Sequence, residues 1–440
     1  MSGLRIVRLA NFVAPASGGL RTALRELGAG YLAAGHEPVL IVPGPEAAEA
    51  TTAQGRVITL PGRLLPGTGG YRVLTDRRRL ARLLAALAPD RLEVSDRTTL
   101  RWTGEWARRH RVPAVMVSHE SVDGVLATWG LPGSWCRGAA DRLNRRTAHA
   151  YTRIVCTTEW AEREFRRVGA RNVVRAPLGV DLERCRPALR DPALRESLAG
   201  GAAVLLALCS RLSPEKRPGL ALDALAELRR QGLDARLVVA GDGPLRARLG
   251  ERAASQRLPV VFTGHIGDPA DLAVLQATAD VVLAPGPAET FGLAAMEALA
   301  CGTPVVASAA SAVPALLGRA GTSAAGDGAS FAAGVRRLLA RPEAARRAAA
   351  RARAERFPWQ TAVDAFLDAL QVPRTARGEG TPRGGNVPHG AAAPHDEVAP
   401  HDEVSPHDEG VTRGASAPRG ASAPRGEGAP ARVPRQGGGR

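Results

Sequence analysis

Glu289-Thr290-Phe291-Gly292-Leu293-Ala294-Ala295-Met296-Glu297 runs on into Ala298-Leu299-Ala300-Cys301-Gly302-Thr303-Pro304 and follows the apolar run Asp280-Val281-Val282-Leu283-Ala284-Pro285. The apolar run reads as a buried parallel strand. The stretch after Gly292, rich in Ala, Leu, Met and Glu, predicts a helix that Gly302 and Pro304 end. Glu289 to Leu293 therefore fall between the carboxyl end of a strand and a helix N-terminus, where an open α/β sheet binds ligands. Helix-terminal N–H groups and the helix dipole favour a phosphate there, and Gly292 lets the backbone approach it closely. Bare carboxylates repel phosphate, so Glu289 and Glu297 need another partner. Sugar hydroxyls fit, because a carboxylate accepts from O–H groups, often two at once. Eight helical residues rise about 12 Å, enough to grip two sugars on either side of a diphosphate.

With 440 residues the chain has room for two or three domains, and a hydrophobic content of 45% supports real cores. There is no apolar run long enough to predict a transmembrane helix, and the first residues enter a strand without a signal-peptide pattern. Five dispersed cysteines without a CxxC predict reduced thiols in a cytoplasm, not a disulfide or zinc framework. A net charge of +16 points to an anionic partner: nucleic acid, anionic lipid or a phosphorylated substrate. No clustered Arg/aromatic surface motif accompanies that charge, which disfavours nucleic acid.

In chain order, Leu4-Arg5-Ile6-Val7-Arg8-Leu9 alternates in polarity as a first strand. Asn11 to Gly19 is a loop, and Leu20 to Ala34 a helix with Leu20, Ala23, Leu24, Leu27 and Tyr31 on one face. This opening lacks GxGxxG and an acid ending the second strand, so a nicotinamide dehydrogenase is disfavoured. Further strands are expected at 39–42, 57–60, 92–95, 114–118, 151–156 and 172–175. Pro61 to Tyr71 reads as a loop. Asp76 to Ala88 is a basic amphipathic helix, either a solvated face or a contact for acidic lipid. A second series has strands at 204–208, 236–241, 260–264, 281–284 and 305–307, with helices at 219–231, 341–356 and 359–370.

The expected class is α/β, with two doubly wound parallel domains: residues 1–178, then a hinge at 179–202, then 203–356. Residues 357–372 form a helix expected to pack back on the first domain. From 373 to 440 the chain repeats six-residue units such as Ala393-Pro-His-Asp-Glu-Val and Arg413-Gly-Ala-Ser-Ala-Pro. Such units bury nothing and predict a disordered low-complexity tail. The tail holds nine arginines and eight acids, so the basicity belongs to the folded part. His395, His401 and His407 on so loose a chain do not make a designed metal site.

Four clusters at predicted strand ends carry the chemistry: Gly18-Gly19, Ser118-His119-Glu120, Arg211 to Lys216, and the opening stretch. Arg211 and Lys216 around a Pro turn can clamp a diphosphate and stabilise it as it departs. No DxD motif lies on a suitable loop, so a divalent metal is not required and no cofactor is expected.

These residues together resemble the retaining glycosyltransferases of family 4. The resemblance rests on E-x7-E enclosing Thr-Phe-Gly-Leu, Gly302-Thr303-Pro304-Val305, Gly241-Asp242-Gly243-Pro244-Leu245 and the Arg211/Lys216 pair, and it covers about residues 4–372. It implies the GT-B fold, two Rossmann-like domains facing across a cleft. Asn11-Phe12, Ser17-Gly18-Gly19-Leu20-Arg21-Thr22, Glu93-Val94-Ser95-Asp96-Arg97 and Ser118-His119-Glu120 are similar to a branch that moves mannose from GDP-mannose to phosphatidylinositol mannosides. On that resemblance Arg211 and Lys216 hold the donor diphosphate, Glu289 the transferred sugar and Glu297 the ribose. Phe291, Gly292 and Leu293 offer backbone N–H groups, and Gly18 and Gly19 line the cleft opposite. His119 contacts the donor sugar near the reacting centre, and Gly264 to Ile266 hold the base. Arg21, Tyr71, Arg72, Asp96 and Arg97 are acceptor-side expectations. The partners expected are a nucleotide-sugar donor and an anionic glycolipid acceptor, met by a cytoplasmic protein held peripherally at the inner face of the plasma membrane. The alternative is a family 4 transferase using another nucleotide sugar, or a different glycolipid or soluble acceptor.

Overall fold

A computed structural model of the protein describes residues 3–13, 18–65, 70–119, 122 and 133–373. The expectations for Ser17, Glu120 and the repeats of the tail lie outside the described residues. Ten strands occupy the N-terminal half: β1 (Arg5–Leu9), β2 (Glu37–Gly44), β3 (Ala48–Thr52), β4 (Gly55–Pro61), β5 (Arg63–Leu64), β6 (Arg72–Val73), β7 (Arg91–Val94), β8 (Ala114–Ser118), β9 (Arg153–Cys156) and β10 (Val173–Arg175). Eight of them form one sheet in the order β10-β9-β8-β7-β1-β2-β4-β3. It is parallel except for β3, an exposed antiparallel edge strand that the sequence reading did not foresee. The expected loop at 61–71 instead carries β5, which pairs with β6 in a short antiparallel hairpin.

The C-terminal half adds β11 (Val204–Cys209), β12 (Ala235–Ala240), β13 (Val260–Gly264), β14 (Val281–Ala284), β15 (Val305–Ser308) and β16 (Gly321–Ala324). Their order, β13-β12-β11-β14-β15-β16, is parallel throughout. Alternate residues of these strands feed different cores: Leu205 and Ala207 pack toward the helix Leu293–Ala300, while Leu206 and Leu208 pack toward the helices Gly219–Arg230 and Gly328–Leu339. Both faces of the sheet are thus covered, as a parallel sheet requires.

β1 departs from its alternating pattern. Arg8 reads as a solvent-facing residue but is 1% exposed. Its Nε and Nη2 lie 2.9 and 2.8 Å from Glu93 Oε1, its Nη1 donates to the Leu24 carbonyl at 2.6 Å, and the Tyr31 hydroxyl donates to Glu93 Oε2 at 2.7 Å. Burial is tolerated because each charge is paired and multiply hydrogen-bonded. The triad pins the helix α1 (Gly19–Ala33) to β1 and β7.

The expected hinge at 179–202 is only partly open linker. Residues Pro187–Leu189 form a 3-10 turn, and Pro192–Ala199 form a helix that packs on β11 and β12 of the second sheet. At Val180 the chain runs beside a second crossover, its N–H donating to the Phe357 carbonyl at 2.8 Å. A Cβ on Gly179 would lie 2.4 Å from Trp359 Cα, so glycine lets the two crossovers touch. The helix Trp359–Ala369 then lies against α1, where Gly30 leaves room for Val363. Arg91 Nε donates to the Leu370 carbonyl at 2.7 Å and Arg153 Nη1 to the Asp368 carbonyl at 2.9 Å.

Glu93→Ala leaves Arg8 charged and buried without its partner. It should lower stability by about 3–5 kcal/mol in urea denaturation, and an unchanged midpoint would refute the assigned triad.

Candidate active site

The site is built where carboxyl ends of strands from both sheets meet. Gly292 begins the helix Leu293–Ala300 in the left-handed region, φ 75°, and a Cβ there would lie 2.5 Å from Val313 Cγ2. Only glycine makes that turn without strain. No side chain caps this helix, and none caps α1 at Gly18. The two N-termini lie close together, with Leu293 Cδ1 3.7 Å from where a Cβ on Gly19 would stand. Two neighbouring helix N-termini with uncapped first turns favour an anion near them.

The basic pair stands on the loop after β11. Lys216 Nζ is ion-paired with Glu289 Oε1, so the cation and the first glutamate of the motif share one place. Arg211 Nη1 donates to the Tyr71 hydroxyl, and its Nη2 donates to Glu215 Oε1 at 3.0 Å. Between the halves, Thr290 is clasped by the other domain. Its carbonyl accepts from Thr158 Oγ1 at 2.8 Å and Thr157 Oγ1 at 3.3 Å, and its hydroxyl donates to the His119 carbonyl. Thr157 and Thr158 were missed by the sequence reading. The signal was available: they directly follow β9, at the carboxyl edge where such sheets bind ligands.

His119 follows β8, its Nε2 3.1 Å from Ser95 Oγ. Burial, then the positive charges of Arg8 and Arg97, lower its pKa to about 4. It is therefore a neutral imidazole at physiological pH, able to donate or accept a hydrogen bond but carrying no charge. Glu297 keeps part of its surface open, yet dense packing raises its pKa to about 7, against the opposing pull of Arg184 and Arg25. Asp181 and Glu26 add to the rise, and Arg184 Nη1 lies 3.1 Å from Asp181 Oδ2 and 4.0 Å from Glu26 Oε1. Glu297 thus sits where α1, the crossover and the motif helix converge.

The remaining expected residues divide. Phe291 is 3% exposed and meets Phe357 edge-to-face at 6.1 Å, so its side chain is core and only its backbone is available to a ligand. Gly264 and Ile266 lie at the end of β13; Ile266 packs against the central core, and the Gly264 carbonyl accepts from Gly241 N–H at 2.8 Å. Arg21 is exposed on the first turn of α1. Asp96 and Arg97 are not brought to the cleft surface. Asp96 is buried and accepts from Asn11 Nδ2 at 2.9 Å, Thr98 N–H at 2.7 Å and Thr99 Oγ1 at 2.6 Å. Arg97 is buried against Glu164 at 3.1 Å and Asn144 Oδ1 at 3.0 Å. Arg72 Nη1 donates to the Gly62 carbonyl at 2.8 Å and braces the hairpin. Tyr71 meets Arg211, whose guanidinium carbon stands 4.8 Å from the centre of its ring.

Solved structures share this arrangement of two sheets. Anabaena HepE in complex with UDP and glucose aligns with a TM-score of 0.66, covering 84% of this chain and 100% of its own at 19% identity. Sucrose-phosphate synthase from Thermosynechococcus elongatus aligns with a TM-score of 0.67, covering 84% and 98% at 22% identity. The arrangement is the GT-B fold. The glycosyl transferase 4-like domain model matches residues 18–180, and the model for glycosyl transferases group 1 matches residues 195–355. A Mycobacterium tuberculosis (strain ATCC 25177 / H37Ra) protein, named GDP-mannose-dependent alpha-(1-6)-phosphatidylinositol dimannoside mannosyltransferase, is 49% identical over 83% of this chain and 96% of its own length. A GDP-mannose-dependent alpha-mannosyltransferase from Mycobacterium tuberculosis (strain CDC 1551 / Oshkosh) is 30% identical over 70% of this chain and 79% of its own. The chain belongs to the family 4 glycosyltransferases.

Because its folded pKa lies below the ordinary 6.5, His119 favours the folded state above that value, and its contribution is lost as pH falls toward about 4. In an NMR titration its imidazole should stay neutral from pH 8 down to pH 5. An inflection near 6.5 that a His119→Gln variant removes would contradict the buried environment.

Proposed function

We propose that the protein transfers mannose from GDP-mannose to a phosphatidylinositol mannoside glycolipid, forming an α linkage. The observation that carries the transfer chemistry is the Lys216–Glu289 ion pair, with Arg211 on the same loop after β11 and two uncapped helix N-termini, at Gly18 and Gly292, close to one another. The names of the two relatives support the choice of donor, and the first of them the acceptor and an α-1,6 bond. An α product from an α-configured donor is net retention.

In the proposed reaction the bond between the anomeric carbon and the diphosphate breaks, and its electron pair leaves with the diphosphate. Arg211, Lys216 and the helix N-termini stabilise that charge as it develops. An acceptor hydroxyl attacks from the face the diphosphate has left, and its proton passes to the departing phosphate oxygen. Glu289, held by Lys216, accepts from mannose hydroxyls and fixes the ring; Glu297 accepts from the ribose. Two side-chain cations already offset the diphosphate, so transfer should persist in a chelator. Neutral His119 lies beside the reacting sugar without adding charge.

Peripheral contact with the inner membrane face is part of the proposal. No helix among the described residues is long and apolar enough to cross a membrane. The helix Arg77–Leu87 buries Leu80, Leu84 and Leu87 and exposes Arg77, Arg78, Arg79 and Arg82. Arginines in a first turn oppose the helix dipole, a cost that an anionic surface would offset. Trp135 is 78% exposed on the helix Gly133–Ala150, beside exposed Arg137, Arg142, Arg145 and Arg146.

Purified protein given a panel of nucleotide sugars and phosphatidylinositol mannosides should add one hexose to lipid from GDP-mannose alone, read by mass spectrometry. Transfer only from a UDP-sugar would overturn the donor assignment. Glu289→Ala and Arg211→Ala should each cost about 100-fold or more in kcat/KM while leaving the thermal midpoint near wild type. In flotation assays, recovery with liposomes should rise with anionic lipid; equal recovery without it would count against the membrane contact.

A further inference from the structure

The hairpin β5–β6 belongs to no motif, yet it delivers Tyr71 to the donor-side cation. Arg211 is held on two sides. Its Nη1 donates to the Tyr71 hydroxyl while its guanidinium carbon stands 4.8 Å from the centre of the same ring. Its Nη2 donates to Glu215 Oε1 at 3.0 Å, and Ser213 Oγ fixes that carboxylate at 2.6 Å. A guanidinium has five N–H donors in a rigid plane, so two anchors set the plane and leave the other N–H directions for a ligand. The two anchors differ in kind. Glu215 offsets charge, whereas the neutral phenol orients the cation and leaves its charge intact for an anion.

Tyr71 is itself braced. It meets Phe12 edge-to-face at 6.0 Å and 81°, and Phe12 N–H donates to the Arg72 carbonyl at 3.4 Å. Phe12 holds φ 59°, a left-handed conformation that a bulky residue keeps only where its surroundings impose it. Phe12 lies on the connection from β1 to α1, the one that leads to Gly18 and Gly19. The line Phe12, Tyr71, Arg211 therefore joins a residue just after β1 in one domain to a cation of the other.

We infer that Tyr71 is a positioning residue that sets the Arg211 guanidinium for the donor diphosphate and couples its orientation to the β1–α1 loop. This rests on the reading that Arg211 meets the diphosphate. It replaces the expected acceptor role of Tyr71 with a donor role acting through Arg211.

The test is steady-state transfer by Tyr71→Phe, Tyr71→Ala, Arg211→Ala and the double variant Tyr71→Ala/Arg211→Ala, with donor and acceptor varied separately. Tyr71→Ala should lower donor kcat/KM about tenfold, the loss of one charge-assisted hydrogen bond, with the acceptor KM unchanged. Tyr71→Phe, which keeps the ring on Phe12 and Arg211, should recover part of that loss and guards against a folding defect. In the Arg211→Ala background, Tyr71→Ala should add nothing. An unchanged donor kcat/KM, an effect on acceptor KM alone, or a full tenfold loss added to Arg211→Ala would each overturn the inference. Wild-type donor kcat/KM in Arg211→Ala would instead overturn the underlying site reading.

Discussion

The carbonyl and hydroxyl of Thr290 tie the two halves of the protein together at the reacting centre. Thr157 and Thr158 hold the carbonyl from one domain, and the hydroxyl reaches the His119 carbonyl at the end of β8. The clasp matters to the proposed site, because Arg211, Lys216 and both glutamates come from the second sheet while His119 and the α1 N-terminus come from the first. Each such hydrogen bond is worth only about 1 kcal/mol net. The clasp is therefore strong enough to define a closed geometry and weak enough for substrate binding to make or break it. The paired crossovers at Val180 and Phe357 supply the mechanical counterpart, two adjacent strands about which the domains meet.

Electrostatics at the site follow one pattern. The two cations of the proposed donor site each have an anionic or dipolar partner: Lys216 has Glu289, and Arg211 has Glu215 and the Tyr71 hydroxyl. These partners hold long side chains in place before the donor arrives, which reduces the entropy lost on binding. His119 and Glu297 are moved in the opposite sense, toward neutrality, by burial. On the proposed reading, charge is thus concentrated where the diphosphate would bind, and the flanking contacts are left with less of it.

Much of this was legible in the sequence because the motif residues sit at strand ends, and strands with their following turns read well from local pattern. Glu289, Gly292, Arg211 and Lys216 were placed correctly on their loops for that reason. What failed depended on distant partners. Arg8 looked solvent-facing, since nothing near it in the chain announces Glu93. The burial of Asp96 and Arg97 was not foreseen, because their partners Asn11 and Glu164 lie far off in the chain. The edge strand β3, Ala-Glu-Ala-Thr-Thr, has almost no hydrophobic signal because neither face is buried. The helix inside the hinge is short and is secured by its Asp191 cap and by packing on β11, which a Pro- and Gly-rich stretch conceals.

The central claim is that one donor site is shared by both domains, with the diphosphate between two helix N-termini. A crystal structure with GDP-mannose tests it most directly. The account predicts phosphate oxygens within hydrogen-bond distance of Arg211, Lys216 and the backbone N–H groups at Gly19 and Leu293, with Glu297 on the ribose and Glu289 on the mannose. A nucleotide bound wholly by one domain, or a diphosphate that touches neither helix N-terminus, would contradict it.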